Sequence, residues 1–346
     1  SAAPPAAAAP VVAASADVAI TEGVKWYPGH YLYYNWDAPD EEIAGRLAAN
    51  PGLRGIMFQF AWRQLEPDRD RYDFAVVQRA LDRAARLGTR LALYIEAQAY
   101  LPGDNRIPDY IDGEAYGGGR YWLPNGAVNP VLWNAAVAER LANLYREFGG
   151  RFDRHPLLAA VTTTESSLAL AGDPPPDYVE PYTLDKHQRA MITMVEALAV
   201  GFPHTVTIQN LNYPEQIMPA LSVALARYAV GLGGPDVFLG DPVLDNAAYR
   251  WYPTLAGSVP LGPSVQWDNY VMRRFAGPQA EISVYDLLWF ARDRLFANFV
   301  FWETRLVPRD FVDELAAMLR SPAFAGDPAG GLASGCPIRY TRCITR

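Results

Sequence analysis

Leu158-Ala-Ala-Val-Thr-Thr-Thr-Glu165 is the stretch from which the rest of the chain can be read. Small and apolar residues lead into three threonines, and the run ends on a carboxylate. The β-branched Val and Thr favour a pleated, half-buried backbone, and the rising polarity suits a strand leaving a core at that end. About three strand-then-helix units precede the stretch and four follow it.

Upstream, strands are expected at His30–Trp36, Gly55–Trp62 and Arg90–Glu96. Downstream they are expected at His204–Asn210, a weak strand ending at Gly233–Asp236, Val259–Trp267 and Asn298–Glu303. Helices alternate with them. The clearest follows Tyr72-Asp-Phe74, where Val76, Val77, Ala80, Leu81, Ala84 and Leu87 share one face and Gly88 stops the run. Others are expected near 39–49, at Pro130–Phe148 with Gly149-Gly150 as its stop, and near 185–200, 215–228, 283–297 and 308–319. Short apolar strands alternating with helices imply a parallel sheet, and eight such units imply a closed α/β barrel, the (β/α)8 or TIM barrel. No G-x-G-x-x-G follows the first strand, which argues against a dinucleotide fold.

Residues 24–325 read as one domain with a long loop at about 100–129 after strand three, a length that is usually functional. Residues 1–23 are an Ala/Pro-rich flexible segment without a basic n-region. They fit the processed start of a secreted or periplasmic protein. Residues 326–346 form a tail holding the only cysteines, Cys336 and Cys343, whose spacing suggests a small disulfide loop.

A net charge of −8 argues against nucleic acid as a partner. No apolar run reaches the roughly 20 residues that span a bilayer. His30, His155, His187 and His204 are scattered, which fits neither a zinc site nor an esterase triad. No metal or organic cofactor is implied, and a monomer is expected.

One segment is more specific. Gln59-Phe-Ala-Trp62-Arg63-Gln-Leu-Glu66-Pro67, then Tyr72-Asp-Phe74, resembles the second and third βα units of the (β/α)8 glycoside hydrolases of the cellulase/β-galactosidase superfamily. That resemblance implies a polysaccharide or oligosaccharide substrate. It also implies an acid/base Glu after strand four, here Glu165, and an Arg near the end of strand two that orients the nucleophile, here Arg63. A Trp at the end of strand eight, here Trp302, would floor the sugar site. The chain departs from the pattern twice. Thr164 stands where the superfamily has Asn, and Gln266-Trp267-Asp268 stands where a nucleophilic Glu is expected after strand seven.

Glycosidic hydrolysis needs one carboxylic acid to protonate the leaving oxygen and a second carboxylate as nucleophile or base. Glu165, among apolar and Thr residues, is the candidate acid. Its partner is Glu303 or Asp268, unless the strand count is off by one. Glu96 is a third candidate, or a group that tunes Glu165. A structural ion pair of Glu303 with Arg305 or Arg63 is the rival reading of that residue. Aromatic rings stack on the apolar faces of sugars, so Trp62, Trp122, Trp267, Trp302 and Tyr34 are expected to bind substrate, with Asn210 at the end of strand five. Trp251 and Tyr252 lie in an expected loop. Endo action on a polysaccharide is the expectation. A barrel that binds glycans without cleaving them, and a transglycosidase or lyase on the same scaffold, are the alternatives.

Overall fold

The computed structural model describes residues 23–168, 180–271, 282–305 and 309–345. The Ala/Pro-rich start and the Pro174-Pro-Pro176 run lie outside the described residues. Eight parallel strands close into one barrel in chain order: β1 (Gly29–Tyr33), β2 (Leu53–Ala61), β3 (Arg90–Glu96), β4 (Leu158–Thr163), β5 (Val206–Asn210), β6 (Gly231–Gly234), β7 (Leu261–Val265) and β8 (Phe299–Glu303). Strand eight pairs with strand one, Glu303 opposite Tyr33, and the sheet has no edge. The strand count is therefore right, and Gln266-Trp267-Asp268 does stand at the end of strand seven.

The period of two along each strand sorts side chains between two cores. Tyr31, Tyr33, Met57, Ala92, Ala160, Val206, Ile208, Phe299 and Phe301 fill the barrel. Their alternates, among them Leu32, Phe58, Phe60, Leu93, Val161, Val300 and Trp302, pack outward against the helices. Strand six has the weakest sequence signal because its interior is already full. A Cβ on Gly233 would lie 2.5 Å from Ile208 and 2.6 Å from Asn210 Oδ1, so only glycine fits there.

The main helices are α1 (Asp40–Ala49), α2 (Ala75–Arg86), α3 (Ala135–Phe152), α4 (Leu184–Gly201), α5 (Met218–Tyr228), α6 (Val284–Trp289) and α7 (Arg309–Arg320). Helix α3 corrects the sequence reading at both ends. It starts after Asn134, whose side chain accepts from the Ala136 and Val137 amides at 2.9 and 3.2 Å. Pro130 belongs instead to a hairpin, Arg120–Trp122 with Val128–Pro130. Gly149 and Gly150 do not stop the helix. A Cβ on Gly149 would sit 2.1 Å from the Gly201 carbonyl, so the glycine lets α3 and α4 cross closely. Between β6 and β7 the connection is a set of short helical turns, not a loop, and Tyr252 is buried in the core there while Trp251 packs against it.

The tail closes the lower end of the barrel. Cys336 and Cys343 form the expected disulfide, and Cys343–Ile344 pairs in parallel with Val24–Lys25. Trp26 packs edge-on against Phe299 and Tyr340, with ring centroids 5.4 and 6.1 Å apart, and donates to the Ser334 carbonyl at 2.8 Å. Among the described residues, no helix is long and apolar enough to cross a membrane.

Candidate active site

The inward positions turn polar towards the C-terminal end of the barrel, where this architecture carries its chemistry. There, four strand ends and the short helix Trp267–Val271 after β7 present a ring of carboxylates: Glu96, Glu165, Asp236, Asp268 and Glu303. Glu165 feels Glu96 and Asp236, and Asp236 feels Asp268 and Glu303, so the groups form one electrostatic cluster.

Glu165 lies one residue past the inward-pointing Thr164 and is buried. Burial pushes its carboxyl up to about 8, with the charges of Glu96 and Asp236 acting in the same direction. Hydrogen bonds from Tyr100 and from the Asn212 amide oppose the rise without cancelling it. Burial and the neighbouring charges thus favour the protonated form of Glu165. Asn212 is itself fixed: its Oδ1 accepts from the Ser167 and Tyr213 amides, each at 2.9 Å. Sequence reasoning missed Asn212, which lies in a short loop with no periodicity to mark it.

Glu96 is buried and fully engaged. It accepts from the Gln98 amide at 2.9 Å, and from the hydroxyls of Tyr94 and Thr164. Thr164, the residue before Glu165, thus bonds a neighbouring carboxylate. Glu303 forms the ion pair with Arg305 that was its rival reading, with Nε and a terminal nitrogen both 2.7 Å from Oε1. The Trp267 amide donates to Oε2 at 3.3 Å. Burial raises the Glu303 carboxyl above the usual range, and Arg305 and this amide pull it back.

Asp236, an acidic strand end given no role from sequence, is half-buried. Its carboxyl is pushed up to about 7 by burial and then by the charge of Asp268. Asn269 bonds both aspartates, Nδ2 lying 2.7 Å from Asp236 Oδ1 and 3.1 Å from Asp268 Oδ1.

Several expected sugar contacts lie elsewhere. Trp62 is wholly buried and donates to Glu66 at 2.9 Å. Glu66 also takes hydrogen bonds from Tyr110 at 2.9 Å and from Arg140 on α3. The Trp-x-x-Leu-Glu-Pro motif is a structural fastener between the strand-two turn, the long loop and α3. Trp302 is also wholly buried. It points outward, donates to His30 Nδ1 at 2.9 Å and packs on Phe311. Period two requires this, because Glu303 beside it points inward. By the same rule Tyr34 is an outer-core residue, and Tyr33 reaches the mouth, under the Arg305 guanidinium at 4.4 Å. Arg63 pairs with Asp109 at 3.4 Å and not with a carboxylate of the ring. Trp122 (55% exposed) and Trp267 (38% exposed) do face solvent near the mouth, as does Tyr100. Asn210 is buried at the end of β5, and its Oδ1 has no partner among the described residues. In that same set, no group of three or more His, Cys, Asp or Glu is arranged to hold a metal ion.

Residues 31–165, the first four strands of the barrel, match the glycoside hydrolase family 42 description, β-galactosidase. No curated protein matches the chain. Among solved structures, the catalytic domain of β-amylase from Paenibacillus polymyxa superposes with a TM-score of 0.56 at 10% identity, covering 90% of this chain and 96% of that one. GH5_18 from Streptomyces cattleya, in complex with GlcNAc, gives 0.51 at 15% identity, covering 89% and 79%. A β-glucanase from Saccharophagus degradans gives 0.52 at 12% identity, covering 86% and 89%. These likenesses establish the barrel. The family match covers residues 31–165, less than half of the chain.

Proposed function

We propose that the protein is a secreted hydrolase that cleaves a polysaccharide internally, with Glu165 as the general acid. The observation that carries the reading is the placement of Glu165, buried at the barrel mouth beside other carboxylates, which pushes its carboxyl up to about 8. A carboxylic acid that still holds its proton at pH 7 can give it to a leaving glycosidic oxygen. The second carboxylate comes from the same ring, with Glu303 and Asp268 the sequence candidates. Solvent-facing Tyr100, Trp122 and Trp267 give several stacking surfaces around the mouth, as an extended chain needs. A disulfide in the tail suits an oxidising compartment.

The test is reducing-end release from a panel of bacterial and plant polysaccharides, with wild type and Glu165→Gln side by side. Wild type is expected to cleave at least one glycan, and the variant to lose about 10²-fold or more, the scale of general acid catalysis. Equal rates for the two proteins would remove Glu165 from the reaction. The absence of Glu at the end of strand seven favours one other reading, a barrel that binds glycans without turnover. Binding with no cleavage by wild type would establish that reading instead.

A further inference from the structure

We infer that Asp236, and not a residue of β7 or β8, is the second carboxylate of the reaction, the base that activates the attacking water. The inference rests on the glycosidase reading above and assigns a role that this reading leaves open. Three observations carry it.

First, the end of strand seven is built to position Asp236 and not to replace it. Asn269 is buried, and its Oδ1 accepts from the Val237 and Gln266 amides at 2.8 and 2.9 Å. That clamp locks the end of β6 to the end of β7. The same side chain's Nδ2 holds Asp236 Oδ1 at 2.7 Å. The orientation of Asp236 is thus set by an amide that is itself fixed on two sides.

Second, Glu303 is already committed. It is 3% exposed, Arg305 holds one of its oxygens and the Trp267 amide the other. Donors to both oxygens occupy lone pairs that a base would otherwise offer to water. Asp236 keeps some exposure. Among the described residues, its second oxygen receives no hydrogen bond.

Third, Asp236 stands where an acid and a base can act on one bond. Only β5 separates β4, which leads to Glu165, from β6, which leads to Asp236. The two carboxyls interact through space. Between them β5 ends on Asn210, with its buried and unpartnered Oδ1, beside Gly233. That oxygen is an acceptor left for a sugar hydroxyl. Burial and the Asp268 charge raise Asp236 to about 7, and Glu165 is raised to about 8. Burial is the largest cause for both, and Glu165 is raised the further of the two, the order an acid and a base require.

The step balances simply. Water oxygen bonds to the anomeric carbon and passes a proton to Asp236. The glycosidic C–O bond breaks with its electron pair on the leaving oxygen, which takes the proton of Glu165. Solvent exchange then returns the Asp236 proton and reprotonates Glu165.

The test uses a glycan that wild type cleaves and compares Asp236→Asn, Asp236→Ala and Glu303→Ala, with and without sodium azide. Asp236→Asn is expected to lose about 10²- to 10⁴-fold in kcat/KM. Azide is expected to restore turnover to Asp236→Ala, giving a glycosyl azide, and not to Glu303→Ala. Activity of Asp236→Asn within about threefold of wild type, with Glu165→Gln inactive, would overturn the assignment and leave the glycosidase reading standing. Azide rescue of Glu303→Ala alone would move the role to Glu303. If wild type cleaves nothing, the glycosidase reading falls and the assignment with it. Should the Asp236 variants fail to fold, the wild-type pH profile decides. An acid limb near pH 7 supports Asp236, and a rate flat from pH 5 to 7 refutes it.

Discussion

At the scale of single residues, Glu165 couples chemistry to stability. Its carboxyl titrates near 8 when folded and in the ordinary carboxylate range when unfolded, so between those values the folded state binds more protons. The stability this group contributes is present in full below the unfolded value and is lost as pH rises through about 8. Asp236 adds a loss of the same sign that is complete near 7. Thermal melts of wild type should therefore fall from pH 5 to pH 9, and those of Glu165→Gln should fall less. Parallel curves would show that Glu165 is not held protonated by the fold. Sequence marked Glu165 because a strand of rising polarity ends on it. It could not mark Asn212 or Asn269, whose work is to hold carboxylates that arrive from other strands.

At the scale of elements, spacing located all eight barrel strands, and most of the errors lie at their ends and faces. Trp302 and Tyr34 were expected at the mouth because aromatics near strand ends suggest sugar platforms. Counting in twos from Glu303 and from Tyr33 puts both of them outside the barrel. That count needs the register, and the register is set by pairing with strands distant in sequence. Gly149-Gly150 misled for a related reason, since a helix stop and a helix crossing use the same residue. The two glycines now make a matched pair. Alanine at Gly149 must displace the α4 carbonyl and should destabilise by about 1–3 kcal/mol. Gly150 faces open space, and alanine there should stabilise by about 0.5–1 kcal/mol through helix propensity alone. Urea midpoints shifting the same way for both variants would contradict the close crossing.

At the scale of the whole molecule, the barrel has a chemical end and a sealed end. The disulfide belongs to the sealed end, where it closes a loop with a sequence separation of 7. Restricting a loop of that size in the unfolded chain is worth about 2.5 kcal/mol. The double variant Cys336→Ser/Cys343→Ser should melt lower while its turnover at permissive temperature stays unchanged. A loss of turnover with no loss of stability would connect the tail to the mouth.

The parallel bridge from Val24–Lys25 to Cys343–Ile344 has a consequence for handling the protein. The two segments run in the same direction, Val24 beside Cys343 and Lys25 beside Ile344, on the face opposite the carboxylates. A surface attachment made on that face points away from an incoming glycan. Anchored by that face, the barrel would present its mouth outward.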